Sequence, residues 1–220
     1  MRVFRPEQLQ PPRDFVRPNL ATDRPTWLEI GAGVGLHAIT CASQHPEIDL
    51  IAIERTTEKC QKFQQSAAQA ACGNLRPIHA DALPWVVHGL PPASIAKLFI
   101  LYPNPEPKNP AQRWLNMPFF AFLLSRLSAD APIILASNIP NYIDEAELQA
   151  RNVWQLPCVR HTIQAQQVDG GRTHFERKYL ARGELCQQLD VTAEWVMAMV
   201  GEAIVEPTGA PISWCFSHSD

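Results

Sequence analysis

Gly31-Ala-Gly33-Val-Gly35 follows the apolar run Trp27-Leu-Glu-Ile30 and leads into a helix-like stretch, so three glycines stand where a strand becomes a helix. Glycines in that place let a ligand approach the backbone, and the first helical turn offers unpaired N–H groups to an anion. Position 36 is Leu, so the spacing is Gly-x-Gly-x-Gly and not the Gly-x-Gly-x-x-Gly of dinucleotide binders. A purely structural turn uses glycine too. Glu54 closes the next apolar run, about 20 residues on, where an acid can accept both hydroxyls of a ribose. Asp81, in His79-Ala-Asp-Ala82 after a third run, can accept from an adenine amino group. Each acid is also placed to cap the helix that follows it. Together the glycine turn and two acids in register predict an adenosine-binding site.

A fourth run, Lys97-Leu-Phe-Ile-Leu-Tyr102, breaks into Pro103, Pro105, Pro107 and Pro110. Prolines at that density forbid both helix and ladder, so a stiff, extended loop must carry Asn104, Glu106 and Lys108 beyond the strand end. Such a loop can fix a second reactant against a first.

The elements that must position these residues alternate. Strands are predicted over 26–31, 48–54, 75–80, 97–102 and 131–137. Helices are predicted over 34–44, 56–72 (stopped at Gly73), a short stretch after Asp81, 111–128 and 141–153. "VRHTIQAQQ" and "THFERKYLA" flank "VDGG" (168–171), which reads as a terminal hairpin. Repeated βα units with such an ending imply an α/β fold: a doubly wound, mostly parallel sheet with an antiparallel C-terminal hairpin, its ligand beyond the strands' carboxyl ends.

The chain has 220 residues, 46% of them hydrophobic, enough for one full core. No apolar run reaches the roughly 20 residues that span a bilayer, and the charged, proline-rich start is unlike a signal peptide. Six cysteines without C-x-x-C pairs or nearby His partners point to reduced thiols in a cytoplasmic protein and to no metal site. His37 and His88 read as helix-surface or satisfied core histidines and not as metal ligands; Trp27, Trp85 and Trp114 read as packing, with Trp114 close enough to the proline loop to stack on a base instead. Residues 183–220 hold six acids and no Lys or Arg. With those set aside, 19 basic residues face 16 acidic ones, a net charge of +3. The division is an N-terminal arm (1–25), a main α/β domain (26–182) and an acidic extension (183–220), in which "AEWVMAMVGEAIVE" suits a packed helix. A net positive body permits a nucleic-acid face.

With these motifs in hand, the sequence resembles the class I S-adenosyl-L-methionine-dependent methyltransferases, with a seven-stranded, Rossmann-like sheet. More closely it is similar to the bacterial tRNA (guanine-N7-)-methyltransferase family over about residues 26–180. "LEIGAGVG", "IAIE" and "HADA" match its cofactor motifs, "YPNPEPK" stands for its F-P-D-P-W-P-K loop, and "THFERK" for T-x-F-E-R. The resemblance implies S-adenosyl-L-methionine held by Glu29, Gly31, Gly33, Glu54, Asp81, Ala82 and Asn104, with Asn104 at the reacting centre. It implies tRNA met by Lys108, Asn138, Thr173, His174, Phe175 and Glu176, with Glu176 on the guanine edge and Lys108 or Arg177 on phosphate. Arg13 to Arg17 resembles the family's arginine-rich arm. The chain departs from the family at Asn104 and Asn138, amides in place of carboxylates, at Glu106 in place of Trp, and in the basic tract after Lys108. An amide at 104 cannot offset positive charge, so Asp there is expected to speed N7 methylation. Asn104-Pro105 also half matches the Asn-Pro-Pro-Tyr motif of amino-group methyltransferases, and a catalytically weak cofactor- or RNA-binding paralogue is the other alternative. A monomer and a homodimer are both compatible with the sequence.

Overall fold

Strands with unbroken apolar runs need cover on both faces, and helices with one apolar stripe supply it. In the computed structural model, which describes residues 3–168 and 170–193, the strands are β1 (Thr26–Ile30), β2 (Asp49–Glu54), β3 (Leu75–His79), β4 (Lys97–Leu101), β5 (Pro132–Ser137), β6 (Cys158–Thr162) and β7 (Gln187–Thr192). The helices are α1 (Leu36–Gln44), α2 (Thr57–Ala70), α3 (Ala82–Gly89), α4 (Phe119–Arg126), α5 (Pro140–Leu148) and α6 (His174–Ala181). They form one sheet of order β3-β2-β1-β4-β5-β7-β6. Every pairing is parallel except those of β7, which runs against both β5 and β6. Helices α1, α2 and α6 pack on one face; α3, α4 and α5 pack on the other. No helix among the described residues is long and apolar enough to cross a membrane.

Strand order reverses between β1 and β4, whose residues pair from Trp27 with Lys97 to Ile30 with Ile100. The glycine turn after β1 and the proline loop after β4 therefore leave the sheet side by side, at the place where ligands bind in open α/β sheets.

Three sequence expectations change. The strand that completes the terminal hairpin is β7, not "THFERKYLA". Thr173 caps α6 by accepting from the Glu176 N–H at 2.9 Å, a Thr-x-x-Glu helix start that outweighs the turn signal before it. The expected helix over 111–128 begins only after Pro118, because the stretch before it winds through tight turns. Helix α2 ends with Ala71 in a left-handed conformation, two residues before Gly73.

The N-terminal arm is tied to the base of the sheet from Leu9 to Arg24. Arg17 donates to the His88 carbonyl at 3.1 Å, His88 contacts the Leu9 carbonyl at 2.8 Å, and Arg76 donates to the Asn19 carbonyl at 2.8 Å. Phe4 packs on Phe119 and Phe122 of α4. Arg17 and Arg24 thus pin backbone at the base.

Because β7 lies within the sheet, the core runs past Arg182, where the sequence division ended it. The expected helix from Ala193 to Glu206 lies outside the described residues apart from Ala193. Removing residues 184–220 deletes the partner of both β5 and β6, leaving β5 with an unpaired, apolar edge. That fragment is expected to be insoluble or unfolded. Removing 194–220 keeps all seven described strands and should keep a cooperative melt, as circular dichroism would show. A cooperative melt from the shorter fragment would contradict this assignment of β7.

Candidate active site

The site starts at the glycine turn. Its N–H groups at Gly31 and Ala32 donate to the Ile53 carbonyl at 2.8 and 3.0 Å, tying the turn to the end of β2. Glu54 continues that tie: Oε2 accepts from the Gly33 N–H at 2.9 Å and Oε1 from the Thr56 N–H at 2.7 Å. Each carboxylate oxygen keeps a lone pair, so a ribose diol can still be received while the turn stays anchored.

The three glycines do different jobs. All have positive φ, but a Cβ at Gly31 or Gly33 would meet nothing within 4 Å, whereas one at Gly35 would lie 1.9 Å from the Phe63 ring. Gly35 is a packing glycine; Gly31 and Gly33 border the open space above the turn. Gly35→Ala should therefore cost about 2–5 kcal/mol of stability, from left-handed strain plus overpacking. Gly33→Val should cost about 1–2 kcal/mol from strain alone while abolishing cofactor binding. Thermal melts and calorimetric titration of both variants check the contrast. Equal stability losses would refute it.

Glu29 is buried in β1, with Oε2 2.8 Å from Nδ1 of His37 on α1. The His37 ring meets Phe99 edge-on at 4.7 Å. Asp81 caps α3 by accepting from the Leu83 N–H at 3.0 Å, which leaves its second oxygen exposed; Ala82 is buried beside it.

Beyond β4, Tyr102 and Glu106 both have positive φ, at 53° and 45°. Asn104 is exposed, and its amide donates to Glu106 Oε1 at 2.7 Å. The loop is pinned from outside: Arg113 donates to the Pro105 carbonyl at 2.8 Å and pairs with Glu145 of α5, which also receives Asn116. Trp114 packs against Phe119 rather than standing free for a base. Asn138, after β5, donates to Glu184 at 2.8 Å. Lys108, His174 and Phe175 are exposed, and Lys59 of α2 lies 5.5 Å over the Phe175 ring.

Glu176 departs from its expected role. It has no exposed surface. Arg172 grips it with its backbone N–H at 2.6 Å and its guanidinium at 2.7 and 3.0 Å, and Tyr102 donates its hydroxyl at 2.8 Å. No lone pair faces a substrate, so Glu176 joins α6 to the end of β4 and does not meet guanine. Burial works to raise the Glu176 pKa, yet the Arg172 hydrogen bonds and charge hold it below the ordinary value. Tyr102 is pushed far up by burial first, then by its bond with Cys186 and the Glu176 charge, so it stays a donor. Thr173, as the α6 cap, is likewise occupied.

Sequence reasoning missed Arg172, Tyr102, Glu145 and Glu184. Arg172 alone left a local signal, an Arg four residues before an acid at a helix start. Among the described residues no His, Cys, Asp and Glu cluster is arranged to hold a metal ion.

The strand order, the glycine turn and the acid after β2 define a class I methyltransferase fold. The 16S rRNA methyltransferase KamB superposes with a TM-score of 0.60 at 17% identity, over 80% of this chain and 94% of that one. A family model described as "Putative methyltransferase" matches residues 23–188. The tRNA (guanine-N(7)-)-methyltransferase of Paracoccus denitrificans is 30% identical over 182 residues, covering 81% of this chain and 77% of that protein. That of Thiobacillus denitrificans is 32% identical over 136 residues, or 58% of this chain and 60% of that protein. The chain belongs to the tRNA (guanine-N(7)-)-methyltransferase family.

Proposed function

We propose that the protein transfers the methyl group of S-adenosyl-L-methionine to N7 of a guanine in tRNA, in the cytoplasm. The observation that carries this reading is the pinned proline loop standing beside the glycine turn at the β1–β4 switch point. The residues suit the donor: Gly31 and Gly33 leave open space, Glu54 and Glu29 lie at the ends of adjacent strands, and Asp81 and Ala82 stand on the adenine side. When bound, the donor supplies an electrophilic sulfonium methyl.

Guanine N7 carries an in-plane lone pair and loses no proton on attack, so no general base is required. The protein's part is to align the base, exclude water and meet the positive charge that develops on the ring. Asn104 and the loop backbone align; Lys108, Asn138, His174 and Phe175 line the approach. Lys59, Arg177, Lys178 and Arg182 add positive charge beside them, suited to phosphate.

Incubation with labelled S-adenosylmethionine and total tRNA, followed by nucleoside identification, tests the proposal. Labelled 7-methylguanosine is expected. Label in an exocyclic amino group would replace this reading with the alternative, and no label would point to a binding paralogue.

A further inference from the structure

We infer that Glu106 is the carboxylate that offsets the positive charge created on the methylated guanine, with Asn104 as its positioning residue. The inference rests on the N7 reading above. In that reaction the S–CH3 bond breaks with its electron pair going to sulfur, which becomes a neutral thioether. The N7 lone pair forms the new N–CH3 bond. No proton moves, so one unit of positive charge passes from the sulfonium to the ring, and a fixed negative group beside that path lowers the barrier.

The carboxylates at the strand ends are nearly all committed. Glu29 faces His37, and both oxygens of Glu54 hold backbone N–H groups. Asp81 caps α3 on the adenine side. Glu176 is sealed by Arg172 and Tyr102, and Glu184 is shared between Asn138 and Arg182. Glu106 is different. Asn104 holds its Oε1 at 2.7 Å, its Oε2 has no partner among the described residues, and no Lys or Arg there pairs with it. Its backbone is held in the left-handed region at φ 45°, with Asn109 donating to its carbonyl at 3.2 Å and Arg113 holding the adjacent Pro105. A non-glycine residue keeps that conformation only where its surroundings impose it. The loop that leaves β4, the strand paired with β1, thus presents one preset, half-satisfied carboxylate.

This reverses the sequence expectation for position 104. Asp there would set a second carboxylate against Glu106 in place of the amide that orients it, and like charges so close drive one of them to protonate or swing away. Asn104→Asp should therefore slow methylation.

The test compares single-turnover rates of wild type, Glu106→Gln, Glu106→Asp and Asn104→Asp, with donor affinity by calorimetry and melting temperature for each. Glu106→Gln should fall about 100-fold in rate with donor affinity and melting unchanged, and Glu106→Asp should recover part of it. A second readout isolates charge: 7-methylguanosine monophosphate should inhibit wild type more strongly than guanosine monophosphate, a preference that Glu106→Gln abolishes. A Glu106→Gln rate within about threefold of wild type overturns the inference. So does a rate loss matched by lost donor affinity or melting temperature. Failure of wild type to form 7-methylguanosine would instead overturn the functional reading itself, and this inference with it.

Discussion

Glu54→Ala is expected to weaken S-adenosylmethionine binding by about 100-fold or more, because two charge-assisted hydrogen bonds to a ribose contribute roughly 1.5–3 kcal/mol each. The loss does not stop at the ribose. Glu54 also receives the Gly33 and Thr56 N–H groups, so its removal frees the middle of the glycine turn from β2. Glu54→Gln separates the two effects. Its carbonyl oxygen can keep one of the backbone bonds, but its NH2 then faces the other N–H group. An affinity between wild type and Glu54→Ala is therefore expected. Calorimetric titration with S-adenosylmethionine and with its demethylated product reads both variants. Undiminished affinity in Glu54→Ala would remove this residue from the site.

The second large effect belongs to Glu176. Glu176→Ala leaves the Arg172 guanidinium and the Tyr102 hydroxyl without their shared acceptor in a water-poor place. Breaking a buried pair from one side costs about 3–5 kcal/mol, a large part of the 5–15 kcal/mol by which a typical domain is stable. Activity should fall with it, since the pair fastens α6 to the strand that launches the proline loop. The pH dependence has a definite sign. The folded-state pKa of Glu176 lies below its ordinary value of 4.5. Its contribution is therefore present above that ordinary value and is lost as pH falls through the lower folded-state value. Urea unfolding of wild type and Glu176→Gln should show a gap that is widest near neutrality and closes as pH falls through the lowered folded-state pKa of Glu176. A gap that stays constant would mean that the ionised form of Glu176 contributes nothing special.

Much of this was legible in advance, and the reasons divide cleanly. The first five strands and the glycine turn are written in local patterns: unbroken apolar runs, then residues that tolerate positive φ. Glu54 was legible because chain distance from the glycines fixes its place in a parallel sheet. What escaped depends on contacts between distant segments. "THFERKYLA" looked like the second strand of a hairpin turned at 168–171. The Thr173-x-x-Glu176 helix start was a local signal that the turn before it masked, and the pairing of β7 with β5 and β6 leaves this stretch as the helix between them. Glu176 looked like a reader of the substrate because its partner Tyr102 lies just beyond β4, and sequence spacing cannot bring those together. His37 was correctly read as satisfied, but not as the partner of Glu29. The three glycines looked alike in the sequence, and Phe63 alone tells Gly35 from its neighbours.

The place of β7 also sets a schedule for synthesis. It is the last of the described strands to leave the ribosome, yet it belongs between β5 and β6. Ser137 ends β5 and Gln187 begins β7, so at ordinary elongation rates the edge of β5 waits about 3–10 s for its partner. Throughout that interval β1 to β5 can already gather the glycine turn and the proline loop, while Ile133 to Ala136 offer an unpaired ladder to any other strand nearby. β6 emerges during the wait and lacks its partner, because its only neighbour among the described residues is β7. Soluble yield is therefore expected to depend on the time spent translating the codons between β5 and β7. Slow codons there prolong the exposure, and a chaperone that shields the β5 edge shortens it.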